Sequence, residues 1–246
     1  MLRMSVLSVA AASLLAGAVF ATEPTTEPVA KTAPAAGAIT GTVRFKGEAP
    51  KAPAVELDSD PVCVGMHPDG LDLNTVRTTA SGGLADVFAW IDNAPDERFK
   101  APKEPVVLDQ TGCNYEPHVF GMIKKQDIKI LNSDATLHNI HAVPKDNKEF
   151  NVGMPEGTPP ITKTFKKDEL AIRIKCDVHP WMVSYAFSME HPFFGVSGAD
   201  GKLMINTEGL PDGDYGVKLW HETLGEASTR VTVAEGVATF EHEFTR

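Results

Sequence analysis

The chain has 246 residues, 42% of them hydrophobic, and its 33 Asp and Glu against 23 Lys and Arg give a formal charge of −10. Nucleic acid is therefore excluded as an expected partner, because affinity for a phosphate backbone comes from clustered Lys and Arg. An acidic surface of this kind either keeps the protein soluble or steers a basic partner at low ionic strength.

Residues 1–21 read as a secretory signal peptide: Arg3 is the basic start, Val6 to Phe20 are apolar or small, and Val19-Phe20-Ala21 offers a cleavage site before Thr22. The mature chain is thus expected in the periplasm. No apolar run reaches the roughly 20 residues of a transmembrane helix. Residues 22–38, rich in Pro, Thr and Ala, read as a flexible linker.

Beyond that linker, short alternating segments are punctuated by Gly, Pro and Asp without sustained helical periodicity, which predicts an all-β protein. Ile39 to Phe45 and Val87 to Ile91 are the first predicted strands, and Ala94 to Pro105 has loop composition. Val106 to Leu108, Val119 to Ile123, Asp127 to Leu131, His138 to Val143, Ile161 to Phe165, Ala171 to Cys176 and Val183 to Met189 follow, enough strands for a Greek-key sandwich. Period-2 phase puts Ile172, Ile174 and Cys176 on one face and Arg173 and Lys175 on the other. The same count places His138 with Ile140 and Ala142 inside and Asn139 with His141 outside. It also predicts an inward face of Val183, Tyr185, Phe187 and Met189.

The segment Cys176-Asp177-Val178-His179-Pro180-Trp181-Met182 carries the chemistry. A thiolate, an imidazole and a thioether within one loop are soft ligands, and two His, one Cys and a weak axial Met form the ligand set of blue-copper centres. Structural zinc has no use for Met, and a binuclear copper centre needs a second Cys in the loop. His138 is the candidate second imidazole, ahead of His141, because of its inward phase. The competing structural reading makes Cys176 a buried thiol, Met182 core filler and His179 a surface residue.

With these residues in view, 106–189 resembles the cupredoxin family. The loop is similar to those of amicyanin- and plastocyanin-like members, sharing Cys-x2-His-x2-Met and the His-Asn-hydrophobic-His motif at His138 to His141. The resemblance implies one type 1 copper bound by His138, Cys176, His179 and Met182, with Asn139 tying the two ligand-bearing segments together. It also implies single-electron transfer without catalysis, between a redox donor and acceptor such as a c-type cytochrome or a periplasmic oxidoreductase. His179, on the loop, would be an exposed electron port, and Trp181 would either enter the core or form an apolar docking patch around it. Copper delivery or storage is the alternative function, and an enzyme is a weaker third, since no Gly-x-Ser-x-Gly or second copper cluster is present.

Ala199 to Ile205 and Leu210 to Leu219 resemble the last half of a carboxypeptidase-regulatory-like or transthyretin-like sandwich. The expected organisation is therefore a cupredoxin domain at 105–190 inserted in an outer β-sandwich whose parts are 39–104 and 191–246, with a tandem or fused arrangement as the alternative. Three cysteines in an exported chain leave one unpaired, so Cys63 and Cys113 are expected to form a disulfide and Cys176 to be the free thiol. Cys63, Met66, His67, Cys113 and His118 form a less favoured second metal site. His191, His221 and His242 read as surface or internally satisfied residues, and Trp220-His221-Glu222 as packing.

Overall fold

The computed structural model describes residues 37–52, 57, 60–95 and 99–246. The predicted signal peptide and nearly all of the predicted linker lie outside them. Ala38, assigned to the linker, instead opens the first strand. Among the described residues no helix is long and apolar enough to cross a membrane.

The described residues are all-β apart from one short helix. In chain order the elements are β1 (Ala38–Lys46), α1 (Pro61–Met66), β2 (Phe88–Ile91), β3 (Val106–Thr111), β4 (Asn114–Glu116), β5 (Val119–Ile123) and β6 (Asp127–Asn132). Then come β7 (His138–Val143), β8 (Phe150–Met154), β9 (Ile161–Thr164), β10 (Glu169–Lys175) and β11 (Val183–Met189). The chain ends with β12 (Phe194–Val196), β13 (Lys202–Asn206), β14 (Gly213–His221), β15 (Gly225–Val233) and β16 (Ala238–Thr245).

Four sheets result, with orders β13-β1-β16, β12-β2-β14-β15, β5-β11-β10-β7-β8 and β4-β3-β6-β9. The last two enclose a core of Leu108, Ile128, Ile130, Ile140, Ile172, Ile174, Cys176 and Met182, among others. The first two enclose another, in which Ile39 and Val43 from the start of the chain meet Ile205, Val217, Phe240 and Phe244 from its end. Alternation explains the burial: in β6, Ile128 and Ile130 are buried while Asp127 and Lys129 face water.

β11 departs from its predicted phase. Ala186 belongs to the core that holds Cys176, whereas Phe187 and Met189, with Tyr185 at the margin, pack with Phe88, Trp90, Phe194 and Trp220. The strand is buried on both faces, because the β2 and β12 aromatics cover its outer side. Phe88 and Phe187 stack with ring centroids 3.8 Å apart. The small residues can face the inner core because the hydroxyls of Ser184 and Ser188 donate to Pro117 O and Lys167 O at 3.0 and 2.7 Å.

Candidate metal centre

β7 and β10 are antiparallel neighbours, with Ala142 opposite Ile174 and His141 opposite Lys175. This register brings His138, which begins β7, level with the turn that follows β10. That turn is closed by its own backbone: the Met182 amide donates to His179 O at 2.9 Å and the Cys176 amide to Met182 O at 3.1 Å. The ligand-type atoms of His138, Cys176 and His179 lie within 4.8 Å of one another, and all three residues are buried. Met182 is fully buried in the same core cluster as Cys176.

Two carboxylates set the tautomers. His138 Nε2 lies 2.8 Å from Asp134 Oδ2, and His179 Nε2 lies 3.0 Å from Asp60 Oδ2. An ionised carboxylate only accepts, so each imidazole carries its proton on Nε2 and leaves Nδ1 as a lone pair. Burial pushes the His138 pKa down, which keeps the ring neutral against the opposing pull of Asp134. The two Nδ1 atoms face each other at 2.8 Å, and Cys176 Sγ is 3.9 Å from His179 Nδ1. Lone pairs so placed repel unless a proton or a metal ion lies between them, and with the Cys176 sulfur beside them the donor set fits a bound soft metal ion. Cys176 Sγ also accepts from the amides of His179 and Asn139 at 3.3 and 3.5 Å.

Both carboxylates are held by backbone amides beside one disulfide. Asp60 is the N-cap of α1 and precedes Pro61: Oδ1 accepts from Val62 N at 2.8 Å and Cys63 N at 3.4 Å, and Oδ2 accepts from Thr136 Oγ1 at 2.7 Å. Burial disfavours its charge, but these hydrogen bonds and the one from His179 outweigh burial and hold the carboxyl below its ordinary range. Asp134 accepts from Gly112 N and Cys113 N, both at 2.7 Å. Cys63 and Cys113 are the expected disulfide, and Cys176 is the free, buried thiol. The amides of the two bridged cysteines therefore donate one to each carboxylate.

Asn139 lies between the two ligand-bearing segments. Its Oδ1 accepts from Asp177 N at 2.6 Å and Val178 N at 3.3 Å, and its Nδ2 donates to Asn151 Oδ1 at 2.8 Å. Its outward phase is as predicted, yet it is buried because the Asp177 turn and β8 cover it. Tyr115 closes the far side by donating to Asn139 O at 2.5 Å, with its phenol pushed well above the usual range by burial and by the nearby Cys176 and Asp177.

His179 is not an exposed port. It is 1% exposed, because Asp60 and α1 cover the edge that a bare loop would present. Trp181 is half-buried, its ring centroid 5.0 Å from that of His179 and its indole N–H donating to Cys113 O at 3.0 Å. Three further histidines are engaged elsewhere. His67 Nε2 meets Gly112 O at 2.8 Å, His141 pairs with Asp177 and Glu149, and His118 pairs with Glu222. With Cys63 and Cys113 bridged, the second metal site imagined around them does not assemble. His221 is neither superficial nor fully satisfied: it is fully buried, its Nδ1 accepts from Thr223 N at 3.2 Å, and its Nε2 has no hydrogen-bond partner among the described residues.

Asp60 and Asp134 were absent from the sequence-based candidates. An Asp-Pro pair opening a helix was the available signal for the first, and the four-residue spacing to His138 the signal for the second.

No protein-family model matches this chain, and no curated protein matches it. Among solved structures it is similar to the copper-containing nitrite reductase of Thermus scotoductus, at 17% identity and a TM-score of 0.33, over 40% of this chain and 26% of that one. The chain thus spans about a quarter of that protein's length. A purple cupredoxin from Nitrosopumilus maritimus is 18% identical over 34% of this chain and 99% of its own, at a TM-score of 0.29. A methionine-to-alanine mutant of amicyanin is 19% identical over 41% of this chain and 98% of its own, at a TM-score of 0.31.

Proposed function

We propose that this chain is an exported, periplasmic copper protein that passes single electrons between redox partners and catalyses no reaction of its own. His138, Cys176 and His179 would hold one copper ion, with Met182 as the weaker fourth ligand. The observation that carries this reading is the pair of imidazoles fixed as Nε2–H tautomers by Asp134 and Asp60, with both Nδ1 lone pairs turned inward beside Cys176 Sγ. Copper bound there supplies reversible one-electron exchange. The chain's residues keep the donors in place, exclude water from them and supply two amide donors to the sulfur, so that little reorganises between oxidation states.

Burial also bears on the alternative of copper delivery or storage. Transfer sites need an open face, whereas His138, Cys176, His179 and Met182 are all buried, which favours retention. We further infer that residues 105–190 form a cupredoxin-like domain inserted in an outer sandwich made of 39–104 and 191–246. Pairing of β1 with both β13 and β16 supports that organisation.

The test is the visible absorption and paramagnetic-resonance spectrum of the copper-loaded mature protein. An intense thiolate-to-copper band is expected, lost in Cys176→Ala and kept in Met182→Leu with a shifted reduction potential. Absence of the band from the unmutated protein, or its survival without Cys176, overturns the assignment.

A further inference from the structure

With His179 covered, the ligand loop meets solvent through Asp177, Val178 and Pro180, and the half-buried Trp181 lines a cavity of about 710 Å³ between the loop and the segment 72–77. Sites for small molecules occupy roughly 300–1,000 Å³, whereas surfaces that dock proteins are typically flatter. The cavity walls are the Trp181 indole and the Tyr185 phenol, with Leu73, Pro180 and Val183 as apolar filling. Its floor is an ion pair between His118 and Glu222, whose side chains are 19% and 10% exposed. His118 Nδ1 is tied to Val183 O at 3.0 Å, and the Tyr185 ring meets the His118 ring edge-on at 6.1 Å.

Charge chooses the class of occupant. Burial disfavours the imidazolium of His118, but the hydrogen bond and charge of Glu222 outweigh it and raise the pKa, so the floor sets an imidazole that favours its charged form against a carboxylate. Tyr185 is also raised, first by burial and then by Glu222, and remains a neutral phenol. Arg77 is compensated by Asp86. The Arg173 guanidinium lies against the Tyr185 phenol, and Asp72 and Glu116 are exposed members of the same lining. The lining therefore offers two ring faces and one carboxylate acceptor, and its charges, Asp72, Glu116 and Glu222 against Arg77 and Arg173, are of both signs rather than a one-signed patch that would select an ion.

We propose that this cavity binds a small, neutral, hydroxylated aromatic molecule of the phenol or hydroquinone class, stacked against Trp181 and Tyr185 with a hydroxyl donating to Glu222. Binding requires no metal. Its significance as an approach to the centre rests on the electron-transfer reading above, since one indole would separate the occupant from His179.

The test titrates the metal-free full-length mature chain with phenol and, without oxygen, with hydroquinone, followed by amide and indole NMR shifts and by tryptophan fluorescence. Saturable binding is expected, with shifts gathered at Asn74, Trp181, Tyr185 and Glu222. Cyclohexanol, similar in size but without an aromatic face, should bind about 2- to 10-fold more weakly. Glu222→Gln removes the charged acceptor, and Leu73→Trp fills the cavity from the wall opposite the loop. Each should raise Kd about tenfold or more, with circular dichroism confirming the fold. Linear shifts without saturation, shifts placed elsewhere, or unchanged affinity in both variants overturns the proposal. A copper-loaded protein without its visible band would defeat the electron-transfer reading and leave this binding result standing. Loss of binding with that band intact would defeat only the cavity assignment.

Discussion

Asp60 shows how far one side chain can act from its place in the sequence. It caps α1, accepts from Thr136 and fixes the outer nitrogen of His179, which lies 119 positions away. Carboxylates behind metal-ligating imidazoles raise ligand basicity and fix ring orientation, and removing one typically costs about 10–100-fold in metal affinity. Asp60→Asn keeps an acceptor for the Val62 amide but removes the charge facing His179. Competition against a calibrated chelator should show copper affinity falling by about that factor, with the melting temperature changed little. The four proposed ligands were legible because three lie in one loop and strand phase selects the fourth. Asp60 was not, since nothing local distinguishes a helix-capping aspartate from one that also orients an imidazole.

At the scale of elements, alternation predicted most strands but not every face. β8, as Phe-Asn-Val-Gly-Met between charged and Pro-Gly residues, carries too little apolar pattern to be read, and α1 is only six residues long. Period-2 logic makes β11 one-sided because it assumes one core, whereas the strand's two faces serve two. Gly121 in β5 shows the consequence of that double burial. A Cβ there would meet Phe194 at 2.5 Å and Phe88 at 2.7 Å, so the aromatics of the adjoining sheet sit directly on the backbone. Gly121→Ala should destabilise the protein by about 1–3 kcal/mol in urea unfolding, through overpacking at that seam. The turn after β7 depends on a different device. Burial disfavours the charge of Glu169, but its carboxylate accepts from the amides of Asp146 and Asn147 at 3.1 and 3.0 Å and from the Lys145 amide, and these bonds hold it below the ordinary glutamate range. A lowered folded-state pKa means stability that is fully present above the ordinary Glu value and lost as pH falls through the folded one. Glu169→Gln should therefore cost about 1–3 kcal/mol at neutral pH, with the difference from the unmutated protein narrowing in acid below about pH 4.

At the scale of the whole molecule, the proposed inserted domain is less self-sufficient than its ligand content suggests. Residues 105–190 hold His138, Cys176, His179 and Met182, and strand pattern alone implies that this segment should fold and bind copper unchanged. Two features of the structure argue otherwise. Cutting there strips Phe88, Trp90, Phe194 and Trp220 from Val119, Phe187 and Met189, leaving an apolar face on β5 and β11 of the kind that drives association. It also removes Asp60 and Cys63, so His179 Nε2 loses its carboxylate and Cys113 its partner, whose cross-link over a separation of 50 contributes on the order of 4 kcal/mol in a chain-entropy account. The excised segment should self-associate at micromolar concentration in sedimentation, and Phe187→Lys should restore a monomer. That monomer should still bind copper about 10–100-fold more weakly than the full chain, as Asp60→Asn does, because the apolar face is repaired but the cap is not. Deleting 191–246 should be worse. β1 then loses β13 and β16, β2 loses β12 and β14, and the remainder should aggregate or be proteolysed. A monomeric 105–190 with full copper affinity would make the outer sandwich a passive appendage. Weakened affinity that persists after the apolar face is repaired would make it part of the metal centre, through the cap it delivers to His179.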